Sequence, residues 1–436
     1  MQPVALNCGK ATGPPPELSW SKTFFAGSLN SYPFNLTNVN GTLFFRANDL
    51  TNGYELWKSD GTAAGTVLVK NIRPGALSSN PVVFTNVNGT LFFQANDGTN
   101  GFELWKSDGT ATGTVLVKDI FAGPLNSYPF NITNVNGTLF FRANDFTNGY
   151  ELWKSDGSTA GTVLVKNIRI GAYNSNPTIL TNINGTLFFQ ATDGTNGVEL
   201  WKSDGTDAGT VLVKNIAAGG YHSYPFNLTN VNGTLFFRAN DLTNGYELWK
   251  SDGTTAGTVL VKNIRAGANS SDPVVLTNVN GTLFFQANNG TTGFELWKSD
   301  GTNAGTSLVK DIFAGALNSY PFYLTNVNGT LFFRANDLTN GYELWKSDGT
   351  TAGTVLVKNI RPSASDSFPA ALTNVNGMLF FRANDGTKGY ELWTMDGGGE
   401  PTVKGPGVAG PGVLLPGVTS AGVPGAGLPG DRKSVV

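Results

Sequence analysis

The sequence predicts an all-β fold, a closed eight-bladed β-propeller with four antiparallel strands in each 48-residue blade. Three observations carry that prediction. The tripeptide Glu-Leu-Trp recurs with its tryptophan at Trp57, Trp105, Trp153, Trp201, Trp249, Trp297, Trp345 and Trp393, always 48 residues apart. Each copy contains an Asn-Gly pair between two apolar runs, the strongest short-range signal for a two-residue hairpin. A strand-like segment near the N-terminus sits in the register of a strand that the last copy lacks.

Residues 73 to 120 illustrate the unit. Pro81 to Val87 is an apolar, β-branched run and Asn88-Gly89 turns it back. Thr90 to Asp97 and Phe102 to Asp108 read as the second and third strands, and Thr114 to Ile120 as the fourth. Gly98 to Gly101 and Gly109 to Gly113 supply the turns between them. No segment has the 3.6-residue period of an amphipathic helix. Short antiparallel strands repeated with a period in the forties describe a propeller blade. The rival β-solenoid has parallel coils, against which the hairpin turns argue.

The eighth unit degrades after Trp393 into Gly397-Gly398-Gly399-Glu400-Pro401, so its fourth strand is expected to be missing. Leu18 to Phe24 lies in fourth-strand register and is expected to complete that blade, closing the ring and hiding its sheet edges. Closure makes the borrowed strand outermost and sets the Pro-Phe-Asn-Leu-type strands around the channel. The inter-blade loops, such as Phe121 to Tyr128, then share a face with the turns between strands two and three, such as Asp49 to Gly53. A second period of 96 residues is superimposed. Arg46, Arg142, Arg238 and Arg334 alternate with Gln94, Gln190 and Gln286, and Arg382 breaks the pattern. The resulting division is a leader over 1–17, the propeller over 18–404 and a tail over 405–436. The tail is rich in Gly, Pro and Val and reads as a flexible linker or stalk. Its last six residues, Asp431 to Val436, resemble translated adaptor sequence.

Gly101-Phe102-Glu103-Leu104-Trp105-Lys106-Ser107-Asp108-Gly109-Thr110, followed by Gly113-Thr114 and Val117-Lys118-Asp119-Ile120, resembles the ELWxxDGT repeat of bacterial proteins. The resemblance covers roughly residues 25 to 404, and its last copy departs at Thr394-Met395-Asp396-Gly397-Gly398. It implies a repeat fold and a surface or secreted location, and it implies no catalytic residues. The extracellular or cell-surface expectation rests on it, because no signal peptide is visible at the start.

Composition narrows the function. A net charge of −2 leaves no electrostatic footprint for nucleic acid, and no apolar run is long enough to span a membrane. Cys8 is the only cysteine, so no internal disulfide forms. The only histidine, His222, stands where sibling loops have Asn126 and Asn318 and is read as a loop substitution. With no catalytic set, the chain is expected not to be an enzyme. The repeated Asp of each Ser-Asp-Gly-Thr turn is read as a turn stabiliser. No cofactor is expected, calcium being the weaker alternative on Asp97, Asn100 and Glu103. The binding candidates are Ser31, Tyr32, Ser127, Tyr128, Ser223, Tyr224, Ser319 and Tyr320, because tyrosine joins an apolar face to a polar tip. Four such loops suit a multivalent glycan-binding or adhesion module, monomeric and at the cell surface, with glycans or a surface protein as partner. The alternative is a structural or protein-interaction scaffold without a small-ligand site.

Overall fold

A computed structural model describes residues 31–396 and 402–403. Among them are 32 strands and no helix. They form eight separate sheets of four strands, each sheet built from consecutive strands in chain order. All pairings are antiparallel meanders. In the second unit the strands are Val82–Val87, Thr90–Asn96, Phe102–Ser107 and Val115–Lys118. The architecture is therefore propeller-like, as the 48-residue period predicts.

The hairpin chemistry is visible in the backbone. Asn88 and Gly89 have φ of 50° and 84°, which is the type I′ requirement for two left-handed residues. The Asn86 side chain then accepts the Gly89 N–H at 3.0 Å. The second strand alternates its partners between two faces, and both faces are apolar. Phe92 and Leu104 point to one neighbour, while Leu91, Phe93, Ala95 and Trp105 point to the other. Val39, Phe44, Leu56, Val69 and Ile72 of the first unit pack with that second set in one cluster. The same two sets meet between every later pair of units up to the eighth. The Trp of Glu-Leu-Trp is thus an inter-unit packing residue, with Trp105 only 6% exposed.

First strands of successive units are neighbours. Thr85 Oγ1 donates to the Ile132 carbonyl of the next unit at 3.1 Å, and Asn86 Nδ2 to the Asn38 carbonyl of the previous one at 3.3 Å. This sets the first strands innermost. Lysines tie the outer parts together, as where Lys118 Nζ donates to the Thr162 carbonyl at 2.7 Å.

The eighth unit corrects one expectation. Its fourth strand is present as Thr402–Val403, paired through Trp393↔Val403 and Thr394↔Thr402. In the first unit the equivalent pair is Trp57↔Leu68. The spacing from Trp393 to its partner is one residue shorter than that from Trp57 to its partner. Leu18 to Phe24, expected to fill this place, lies outside the described residues, as do the leader and the tail from residue 405. The end units also differ from the inner ones. Leu36 is 63% exposed, whereas its counterpart Leu228 is 9% exposed.

Candidate functional site

One end of the propeller carries both the inter-unit loops and the turns between strands two and three. The two are joined by hydrogen bonds: the Asn80 N–H donates to the Tyr54 carbonyl, and Asn71 Nδ2 to Asn52 Oδ1 at 2.7 Å. The joint is built on the glutamate of Glu-Leu-Trp. Glu103 is fully buried. Its carboxylate accepts the Ile120 N–H at 3.0 Å, the Ser127 N–H at 2.8 Å and the Ser127 hydroxyl at 2.5 Å. The same arrangement ties Glu151 to Ser175, Glu247 to Ser271 and Glu343 to Ser367. Burial pushes the Glu103 carboxyl up to about 7, against the pull of its hydrogen bonds.

This geometry corrects two site expectations. Ser127, Ser223 and Ser319 are fully buried and spend their hydroxyls on glutamate, so they present nothing to a ligand. Ser31, in the first unit, is half-buried at the equivalent position. Glu103 does not join Asp97 and Asn100 in a cation site. Asp97 instead accepts the Thr99 and Asn100 N–H groups and the Asn100 side-chain amide, as a closed turn. Among the described residues no three His, Cys, Asp or Glu side chains come together to hold a metal.

The tyrosines remain on the surface. Tyr32, Tyr128, Tyr224 and Tyr320 are 61%, 41%, 44% and 42% exposed. Each has φ near 45°, and Tyr128, Tyr224 and Tyr320 follow a glutamate-latched serine. Tyr128 stacks on Phe102 at 5.6 Å, and Tyr320 on Phe294 at 5.7 Å. Asn126 accepts the Phe102 N–H at 2.8 Å and donates to the Tyr128 hydroxyl at 3.1 Å. His222 takes the place of Asn126 in its own loop, where Nδ1 accepts the Val198 N–H at 2.7 Å and the ring lies 5.0 Å from Tyr224.

Fourteen residues after each of these tyrosines stands one of the arginines that alternate with glutamine. Arg142 sits across the sheet from Phe130 and diagonal to Tyr150. Its guanidinium lies 5.8 Å from the Phe130 ring centre and 4.9 Å from that of Tyr150. Arg46 lies between Phe34 and Tyr54 in the same way, Arg238 between Phe226 and Tyr246, and Arg334 between Phe322 and Tyr342. The Nε of all four is buried without a hydrogen-bond partner. Burial holds Arg142 below the ordinary guanidinium value. Arg382 has Tyr390 at 4.7 Å but faces Ala370 where the others face phenylalanine. Gln94, in an intervening unit, instead donates to the Pro129 carbonyl of the next loop at 3.0 Å.

No protein-family profile matches the sequence, and no curated protein does. Solved structures do match. Puromycin hydrolase matches at 13% identity over 86% of this chain and 61% of its own, with a TM-score of 0.40. A prolyl endopeptidase matches at 9% identity over 82% of this chain and 55% of its own, with a TM-score of 0.42. The β-propeller domain of the Trilobed protease from Pyrococcus furiosus, described as having an open velcro topology, matches at 9% identity over 87% of this chain and all of its own, with a TM-score of 0.41. The chain spans little more than half the length of the first two proteins. At these identities the likeness carries no residue roles to this chain. The expectation of a multivalent glycan-binding or adhesion module, with a structural scaffold as its alternative, finds no counterpart among the matched proteins, which are peptidases and a hydrolase.

Proposed function

We propose that this chain is a ligand-recognition propeller that works through the mouth of the ring on its loop face, and that its described residues bind rather than catalyse. One observation carries the reading. Four exposed tyrosines recur on that face, three of them beside a glutamate-latched serine, and each is followed fourteen residues later by an arginine flanked by two aromatic rings. Repeated, rigidly mounted aromatic groups with polar tips suit recognition at low entropic cost. Among the described residues the opposite end offers no such groups. Its Ser-Asp-Gly-Thr turns are occupied with themselves, Asp108 Oδ1 accepting the Thr110 N–H and hydroxyl at 2.8 and 2.7 Å. The one described histidine is engaged with the Val198 backbone, which leaves no assembled acid–base pair around it.

The finer fold reading belongs with this one: a closed ring of ELWxxDGT-type repeats. Complementarity supports closure. Unit eight carries Val375, Phe380 and Leu392 on the face that inner units bury against a neighbour's Leu, Phe, Ala and Trp. Unit one carries that acceptor set as Leu43, Phe45, Ala47 and Trp57. The repeat reading rests on eight in-phase copies of Glu-Leu-Trp.

The test is a ligand-observed NMR screen of a fragment set containing carboxylates, phosphates, amines and neutral heteroaromatics. The wild-type protein is compared with a Tyr128→Ser/Tyr320→Ser variant. Fragments are expected to bind the wild type and to lose at least about tenfold in affinity on the variant. The reading fails if nothing binds, or if the variant binds the same fragments equally well.

A further inference from the structure

We infer that the mouth of the ring binds carboxylate groups, through arginines flanked by two aromatic rings; this rests on the loop face being the recognition surface. A guanidinium has five donors and no acceptor. In Arg46 and Arg142 the guanidinium lies within 6 Å of two aromatic ring centres, one on each neighbouring strand, and Nε is buried without a hydrogen-bond partner. What is left is the Nη end, which matches a carboxylate in shape and charge. Stacking also removes much of the water that would otherwise screen the charge, so an anion meeting it does so in a medium of lowered polarity.

The chain itself shows what fits. Arg238 donates through Nη1 to Asp272 Oδ1 at 3.4 Å, and the Asp272 side chain is 40% exposed. Asp272 belongs to the loop leading to the next unit, 34 residues after the arginine. The residues at the same distance from Arg46, Arg142 and Arg334 are Asn80, Asn176 and Phe368. All four loop residues share one left-handed backbone conformation, with φ of 47–49°. The loops are therefore alike, and only the side chain differs. Where the loop supplies a carboxylate, the arginine takes it. Among the described residues the other three arginines have no carboxylate partner, the ion pairs there being Arg238–Asp272 and Lys166–Asp207.

A ligand carboxylate would take the place of Asp272 at units one, three and seven. Unit seven differs from the other two, because Arg334 also has Tyr323 at 5.1 Å and Phe368 in the loop. Units one and three are the more open clamps. Several clamps around one mouth favour a ligand carrying several carboxylates, such as an acidic polypeptide, over a single acid.

The probe is a short poly-L-glutamate peptide at low salt, measured by isothermal titration calorimetry against poly-L-glutamine and inorganic phosphate. Poly-L-glutamate is expected to bind, more weakly as salt is added, and poly-L-glutamine not to bind. Asn80→Asp/Asn176→Asp fills both open clamps from within and should weaken binding at least about tenfold. Asp272→Asn frees a further clamp and should strengthen it. These loop variants leave the buried core untouched, so retained folding by circular dichroism is expected. Undiminished binding to the Asn→Asp double variant would overturn the inference, as would equal binding of poly-L-glutamine or a preference for phosphate. If no carboxylate binds while neutral fragments still bind in a tyrosine-dependent way, the carboxylate inference falls and the loop-face reading stands.

Discussion

Single residues do unusually repetitive work here, and the glutamate of Glu-Leu-Trp does most of it. Seven copies, from Glu55 to Glu343, are fully buried. Each holds the start of an inter-unit loop and its serine on one carboxylate, as Glu55 holds Ile72 and Ser79. Desolvation raises each of them from 4.5 to about 7. A carboxyl with a raised folded-state value binds its proton more tightly when folded than when unfolded. Its stabilising contribution is complete below about 4.5 and is lost as the pH rises through 7. Calorimetry between pH 5 and 8 should therefore find the unfolding temperature falling as pH rises. Glu103→Gln should make that slope shallower by one group's share. A flat or rising profile would show that the hydrogen bonds outweigh burial. The turn aspartates pull in a separate window. Asp108 is held below its ordinary value by the Thr110 hydroxyl and N–H, so it responds only at more acid pH.

At the scale of the element, the innermost strand is the irregular one. The register between first and second strands shifts in every unit, as between Val82 and Thr85. The residue inside the shift has positive φ even when it is Val83, Ile179 or Val275. A β-branched residue rarely adopts that conformation, so the bulge is imposed by packing around the axis rather than by local preference. The Asn-Gly hairpin that follows is the opposite case, with local chemistry and tertiary demand in agreement. Gly185 has φ of 86°, and a Cβ there would meet the Asn136 amide of the preceding unit. Gly75, in an inter-unit loop, has φ of 91° and nothing within 4 Å. Gly75→Ala should therefore cost only the backbone strain, about 1–2 kcal/mol. Gly185→Ala should cost visibly more, because a neighbouring turn must move as well. Urea unfolding of the two variants checks the order, and equal losses would refute it.

At the scale of the whole molecule the question is whether units eight and one meet. Four inner units bury an apolar leucine or isoleucine on the first strand, Leu180, Leu228, Ile132 and Leu324 all being 8–9% exposed. At the ends, Leu36 is 63% exposed, Val375 45% and Leu392 38%. A closed ring in solution buries Leu36 like its siblings. Leu36→Ala should then lose about as much stability as Leu228→Ala, in the range of about 2–5 kcal/mol. A Leu36→Ala loss below about 0.5 kcal/mol beside a full loss for Leu228→Ala would mean that the ring is open.

The chain by itself determined the unit, its strands and its turns. Asn-Gly pairs, apolar runs and a strict 48-residue spacing are local signals, and local signals are what a sequence exposes directly. It also displayed the 96-residue alternation of Arg and Gln, though not its meaning, because an arginine between two rings is recognised only once three strands lie side by side. The glutamate–serine latch was legible in principle. Each buried glutamate is followed 24 residues later by a serine in both loop types, as Glu103 by Ser127 and Glu151 by Ser175. What turned those serines from candidate ligand contacts into structural donors was burial, which depends on where the loop folds back and not on its composition. The eighth unit went the same way. Its degenerate turn concealed Thr402–Val403, a two-residue strand that a propensity pattern cannot mark and that exists because the sheet beside it offers free hydrogen bonds. Tertiary structure decided which repeated residues are spent inside the fold and which are left exposed on the loop face.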